Sequence, residues 1–185
     1  MIKIKDYFSE AQWQKFLSAA VEHETPFLLV DLSLIKQKFE EMVMYFPNAK
    51  IHYAMKANPG VPVINLLRDL GSNFDCASIF ELDRVFDSGV TPDRVSYGNT
   101  IKKAAHIKYA YDKGVRLYAT DSKADIQKIA ENAPGSRVFV RILVEGGDTA
   151  EWPLSRKFGF MSVVNRKILP YGMTHYQKSN ICLIG

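Results

Sequence analysis

The sequence predicts an α/β fold in which parallel strands alternate with helices and close in the manner of a (β/α)8 TIM-type barrel. Three observations carry that prediction. Short apolar or β-branched runs recur at a near-constant interval, with steps of 19, 23, 22 and 21 residues from Lys56 to Asp75, Gly98, Thr120 and Arg141. Amphipathic stretches with helical spacing fill the intervals, the pattern of successive β-α units with right-handed crossovers. A polar residue closes one strand after another, at Lys56, Asp75, Asn99, Asp121 and Arg141. A barrel builds its active site from the C-terminal ends of several strands in this way. An open doubly wound sheet concentrates its site at one switch point, and no Gly-x-Gly-x-x-Gly follows any strand here.

Residues 1–24 read as a separate amphipathic helix with Trp13, Phe16, Leu17 and Ala20 on one side. Phe27–Val30 is expected as a strand, and the helix after it as capped near Asp31 or Ser33. The repeating units begin with strand Ile51–Met55. The helix that follows lines up Val63, Leu66, Leu67 and Leu70 and stops at Gly71, a natural C-cap. Strand Asn73–Cys76 leads to a second stripe of Ile79, Leu82, Val85 and Phe86, which stops at Gly89. Strand Val95–Tyr97 precedes a helix within 102–114, and strand Arg116–Ala119 precedes one opened by Asp121 and Ser122. Val138–Val144 is the last strand expected. The chain then divides into residues 1–24, a partial barrel over 25–159 and a tail over 160–185, with no low-complexity linker.

A chain of 185 residues that is 47% hydrophobic and 24% charged can bury a core, which excludes disorder as its main state. Lys and Arg number 24 against 20 acidic residues, and this small excess is scattered, so nucleic acid is not an expected partner. Cys76 and Cys182 lie far apart without a Cys-x-x-Cys, which excludes a zinc knuckle or disulfide scaffold and points to the reducing cytoplasm. Neither a signal-peptide core nor a transmembrane run is visible, so no membrane partner is expected. His23, His52, His106 and His175 show no metal-ligand spacing and read as surface or structural.

Lys56 ends an apolar strand before Ala57-Asn58-Pro59-Gly60. Taken alone it is a solvated charge or an amine whose surroundings lower its pKa for attack on an aldehyde. Asp75 is either a helix cap or a site residue, and Glu81 a helical surface charge unless its surroundings say otherwise. Arg141 lies inside VFVRILV, where an unpaired guanidinium would be very costly, so it must point into something polar.

The segments YAMKANP, FDCASIFEL, YGNTIKK, VFVRI and EWPLSRKFG, in this order and spacing, resemble the pyridoxal-phosphate decarboxylases of the alanine-racemase-like barrel fold, most nearly the bacterial ornithine/lysine decarboxylases. The resemblance covers Thr25 to Gly159. It implies pyridoxal 5'-phosphate as cofactor, bound as a Schiff base on Lys56. It further implies that Asp75 lies near that lysine, with Glu81 in support and Arg141 near the ring, and that the segment around Lys157 contacts a second subunit of a homodimer. The implied reaction is decarboxylation of a small basic amino acid, L-ornithine to putrescine or L-lysine to cadaverine, in polyamine biosynthesis. A diaminopimelate decarboxylase, a racemase and a catalytically silent relative that carries the cofactor or regulates the enzyme are the alternatives.

After Gly159 the resemblance lapses. The family's Phe-His-Val-Gly-Ser strand is missing, and His175 falls one place early on the approach to it. The family's phosphate loop, ring-nitrogen acid, substrate aspartates, proton-donating cysteine and C-terminal β-domain find no match. The expectation is therefore five to six β-α units of a barrel, with apolar edges prone to aggregation and no activity in the chain as it stands.

Overall fold

A computed structural model describes residues 8–142, 159 and the strand at 182–184. The chain opens with α1 (Glu10–Val21) and α2 (Leu32–Tyr45). Four strand-helix pairs follow: β1 (His52–Ala54) with α3 (Val61–Asp69), β2 (Asn73–Cys76) with α4 (Ile79–Asp87), β3 (Val95–Tyr97) with α5 (Ala104–Asp112), and β4 (Leu117–Thr120) with α6 (Lys123–Asn132). Strands β5 (Arg137–Val140) and β6 (Cys182–Ile184) complete the sheet.

All neighbouring strands are parallel, and their order across the sheet is their order in the chain, β1 to β6. A doubly wound sheet reverses its order at the switch point; an unreversed parallel sheet is the wall of a barrel. The described residues form such a wall, with α/β architecture as expected.

Strand alternation sorts the side chains. Phe74 and Cys76 of β2, Val95 and Tyr97 of β3, Tyr118 of β4 and Val138 of β5 are buried in one core with Leu67, Leu82, Val85, Ile107 and Ile129 of the helices. The opposite face carries His52, Ala54, Asn73, Asp75 and Ser96. Helix starts match their chemistry: Asp31 accepts from the amides of Ser33 and Leu34, and Ser78 and Ser122 cap α4 and α6. Helix ends match too. Gly71 and Gly89 adopt φ of 88° and 80° as the chain reverses toward the next strand.

Three sequence expectations change. Phe27–Val30 is not a strand, because no described strand takes up its backbone groups; with Leu28 81% exposed, it walls an open apolar groove of about 970 Å³ together with α1, α2 and β1. Strand β5 ends at Val140, so Arg141 stands just past the strand rather than inside it, and Leu143 and Val144 lie outside the described residues. The outer edge of β5 is not bare: Cys182–Ile184, within the tail, pairs with Arg137–Phe139 in parallel.

One buried charge has no forerunner in the sequence reading. Lys102, in the loop after β3, donates through Nζ to Asp125 Oδ2 at 2.6 Å, Ala119 O at 2.7 Å and Asn99 O at 2.7 Å. The side chains of this ion pair are 0% and 3% exposed. Burial draws the Lys102 pKa down, and the bond to Asp125 opposes that pull. All three ammonium protons are engaged. Lys128 adds a bond from its Nζ to the Lys102 carbonyl at 2.8 Å. Replacing Lys102 by Met leaves the buried Asp125 with the longer 3.4 Å ion pair to the partly exposed Lys128, and is expected to cost about 3 kcal/mol in denaturant unfolding. The double variant Lys102→Met/Asp125→Leu should recover most of that loss. Equal stability of Lys102→Met and the parent would contradict the assignment.

Candidate active site

The polar residues expected at the strand ends do converge. Lys56 occupies the turn after β1, whose shape is set by bonds from Ala57 N to Ala54 O at 3.0 Å and from Met55 N to Asp75 O at 3.0 Å. Tyr53 Oη donates to Asn58 O at 3.1 Å, and Asn58 Oδ1 accepts from Gly60 N at 2.9 Å. The Lys56 side chain is exposed on this pinned turn and makes no bond to any described residue. Strand register sets Asp75 opposite Ala54, two residues before Lys56.

Gly98 is where the site is most crowded. A Cβ there would lie 2.1 and 2.2 Å from the carboxylate oxygens of Asp75, closer than any side chain tolerates. The Gly98 carbonyl accepts from Arg141 Nη2 at 2.9 Å, while Arg141 N donates to Thr120 O at 2.8 Å. Asp75 and Arg141 thus meet at one glycine without pairing with each other. That answers the cost of burying Arg141: one donor is satisfied by a carbonyl, and the partly buried guanidinium retains others.

Glu81 is not a free helical charge. Its Oε2 accepts from Ala77 N at 2.6 Å, and its amide donates to Ser78 Oγ at 3.3 Å, a clamp on the loop leaving β2. Asn99 Nδ2 holds the same loop through Ala77 O at 3.1 Å. Asp75 is no helix cap, since Ser78 fills that position. Cys76 points into the helix-side core, where burial pushes its thiol pKa up and the nearby Glu81 and Asp75 charges push the same way, leaving it inert. Lys157, expected at a subunit interface, lies outside the described residues, as does His175.

Of the two readings left open for His52, surface or structural, the structure shows the second. It is half-buried on the polar face of β1, with Nδ1 3.2 Å from Ser96 Oγ, and that hydroxyl donates to Asp75 Oδ1 at 2.6 Å. Burial lowers the His52 pKa most; Asp75 and the Phe74 carbonyl raise it, and Lys50 and Arg137 lower it. Sequence reasoning missed Ser96 and the role of Gly98. The available signal was one polar and one side-chain-free residue at the end of a buried strand. Among the described residues no cluster of three or more His, Cys, Asp or Glu is placed to hold a metal, and no helix is long and apolar enough to cross a membrane.

The family profile described as "Pyridoxal-dependent decarboxylase, pyridoxal binding domain" matches residues 32–185. Ornithine decarboxylase of Saccharomyces cerevisiae is 40% identical over 136 residues, covering 74% of this chain and 29% of that protein. Antizyme inhibitor 2 of Xenopus laevis is 34% identical over 138 residues, covering 75% of this chain and 30% of that protein. Among solved structures, lysine decarboxylase from Selenomonas ruminantium superposes with a TM-score of 0.76 at 32% identity, covering 96% of this chain and 46% of that one. The chain therefore spans about a third of the length of the curated relatives it matches.

Gly98→Ala is expected to displace the Asp75 carboxylate and destabilise the fold by about 1–3 kcal/mol. Each kcal/mol should lower the thermal midpoint by about 2–4 °C in a chain of this size. Adding Asp75→Ala should restore most of the loss, because it removes the group the new methyl meets. Differential scanning calorimetry of the three proteins decides; an unshifted midpoint for Gly98→Ala would refute the crowding.

Proposed function

This chain belongs to the pyridoxal-dependent decarboxylases through their pyridoxal binding domain, and on that premise we propose that it is the cofactor-holding part of a basic amino-acid decarboxylase. The observation that supports this most is the convergence of Lys56, Asp75 and Arg141 at one end of a parallel sheet, around the side-chain-free Gly98.

These residues fit pyridoxal phosphate. An exposed amine on a fixed turn suits covalent attachment to an aldehyde. The small Ala54, Ser96, Gly98 and Ala119 along the strand ends leave room for a flat ring. When bound, the group supplies an electron sink that accepts the electron pair released as the α-carboxylate departs as carbon dioxide. Lys56, carried on its pinned turn, would hold the aldehyde end of the group. Asp75, with one carboxylate oxygen tethered by Ser96, would supply a negative charge at this end of the sheet, opposite the turn that carries Lys56. Arg141, held by the Gly98 carbonyl, would have donors left to offer the bound group. Glu81 acts one step removed, by fixing the loop that follows Asp75.

L-ornithine is the proposed first substrate and L-lysine the second, in keeping with the names of the relatives from Saccharomyces cerevisiae and Selenomonas ruminantium. A homodimer with Lys157 at its interface, and residence in the cytoplasm, belong to the same reading. A second reading, a silent regulatory barrel, draws on the antizyme inhibitor among the relatives. Retention of Lys56 argues for the enzyme, since a protein that binds no aldehyde has no use for that amine.

Loading with pyridoxal phosphate should produce visible absorbance, and borohydride should fix the label on the peptide carrying Lys56. Lys56→Ala should abolish both, and label on a different lysine would overturn the assignment. For substrate, carbon dioxide release by the full-length protein is to be compared with ornithine, lysine, arginine and meso-diaminopimelate. The highest kcat/KM is expected for ornithine; preference for diaminopimelate or arginine would move the protein to another branch.

A further inference from the structure

The polar face of β1, β2 and β3 holds a hydrogen-bonded chain of which the reaction outlined above uses only the Ser96–Asp75 end, leaving His52 without a role. His52 on β1, Ser96 on β3 and Asp75 on β2 are linked, with Nδ1 of His52 3.2 Å from Ser96 Oγ and that oxygen 2.6 Å from Asp75 Oδ1. Ser96 is 2% exposed, so water does not compete freely for its hydroxyl.

The direction of the chain follows from a count of protons. A serine hydroxyl has one hydrogen to give. Two acceptors besides the imidazole are in reach, the Asp75 carboxylate at 2.6 Å and the Phe74 carbonyl at 3.4 Å. The charged, shorter contact takes the hydrogen. Ser96 Oγ therefore presents a lone pair to His52, and Nδ1 must carry the hydrogen that meets it. Nε2 is left as the nitrogen that titrates. With serine in the middle and its proton committed to the carboxylate, the trio is not a hydrolytic triad, in which the imidazole takes the serine proton.

We propose that His52 is a positioning residue that, acting through Ser96, fixes the orientation of the Asp75 carboxylate beside Lys56. The proposal rests on the pyridoxal reading above for its consequence, though not for its geometry. Asp75 is pressed against Gly98 and tethered at Oδ1, while Oδ2 keeps no hydrogen-bond partner among the described residues. Without the tether the carboxylate swings about its side-chain torsion and its charge is no longer held in one place. Protonation of His52 would add a positive charge two hydrogen bonds from Asp75. Four surroundings govern that event: Asp75 and the Phe74 carbonyl on β2 favour it, and Lys50 before β1 and Arg137 on β5 oppose it. Burial opposes it most.

Two measurements test the proposal. Side-chain ¹⁵N spectra of the cofactor-free chain should show His52 protonated at Nδ1 above its titration midpoint. That midpoint should fall by about half a unit or more in Asp75→Asn, which removes the opposite charge, and Ser96→Ala should release the ring from the Nδ1–H form. An Nε2–H tautomer in the parent, or a midpoint indifferent to Asp75→Asn, overturns the proposal whatever the cofactor does. In the pyridoxal-loaded protein, the visible band should change with pH in a step at the His52 midpoint. His52→Phe, which removes the tether, should weaken the band at pH 8 and lose the step. His52→Asn, whose side-chain amide can donate where Nδ1 does, should retain the parent band intensity without the step. A step that survives both substitutions overturns the role at the site. Absence of any band from the parent would instead refute the pyridoxal reading, and the nitrogen spectra would then decide the relay alone.

Discussion

A buried ammonium organises the upper end of this sheet. Lys102 cannot be left unpaired away from water, so the chain must bring three oxygens to it. Those oxygens come from the turn after β3, the end of β4 and the first turn of α6. Meeting the demand of one charge therefore joins three segments that are distant in sequence. The same turn presents Gly98, on which Asp75 and Arg141 converge, and Asn99, whose amide steadies the loop after β2. Disturbing Lys102 reaches the site by this route.

The division of labour between the two faces of the sheet follows from strand alternation. One face is given wholly to packing, with Phe74, Val95, Tyr97, Tyr118 and Val138 sealed against the helices. Cys76 sits there as well and is thereby removed from chemistry. The other face keeps small and polar residues, among which Ser96 Oγ donates to Asp75 Oδ1 at 2.6 Å and lies 3.2 Å from His52 Nδ1. Asp75 shows the consequence: its neighbours Phe74 and Cys76 are core, while it meets Ser96 and Gly98 on the other face, because successive side chains in a strand point opposite ways.

Family membership and local geometry bear on different questions. The match across residues 32–185 establishes which group of proteins the chain belongs to, and relatives with catalytic and regulatory names stand within that group. The fate of an enzyme in such a group is decided at particular atoms. Lys56, Asp75 and Arg141 lie at one end of the sheet, and Glu81 holds the loop that follows Asp75. The supports around them, Gly98 and Ser96 above all, are what a silent relative would be free to lose.

The amino-acid sequence alone was enough for the alternation of strands and helices, their caps, the class of fold and the identity of the lysine, aspartate and arginine at the strand ends. Each of these is written in local pattern: period, capping residue, or a polar residue closing an apolar run. Phe27–Val30 marks the limit of local pattern, since its strand-like composition needs a partner to take its backbone groups and none of the described strands does so. Arg141 had to be satisfied, but that its acceptor is the carbonyl of Gly98, 43 positions away in the chain, was a matter for the folded sheet. The same holds for Lys102, which looks like any surface lysine until the α6 aspartate closes over it, and for His52, which shares no motif with Ser96 or Asp75. Burial and hydrogen-bond direction depend on which strands become neighbours, so only the tertiary structure decided what these residues do.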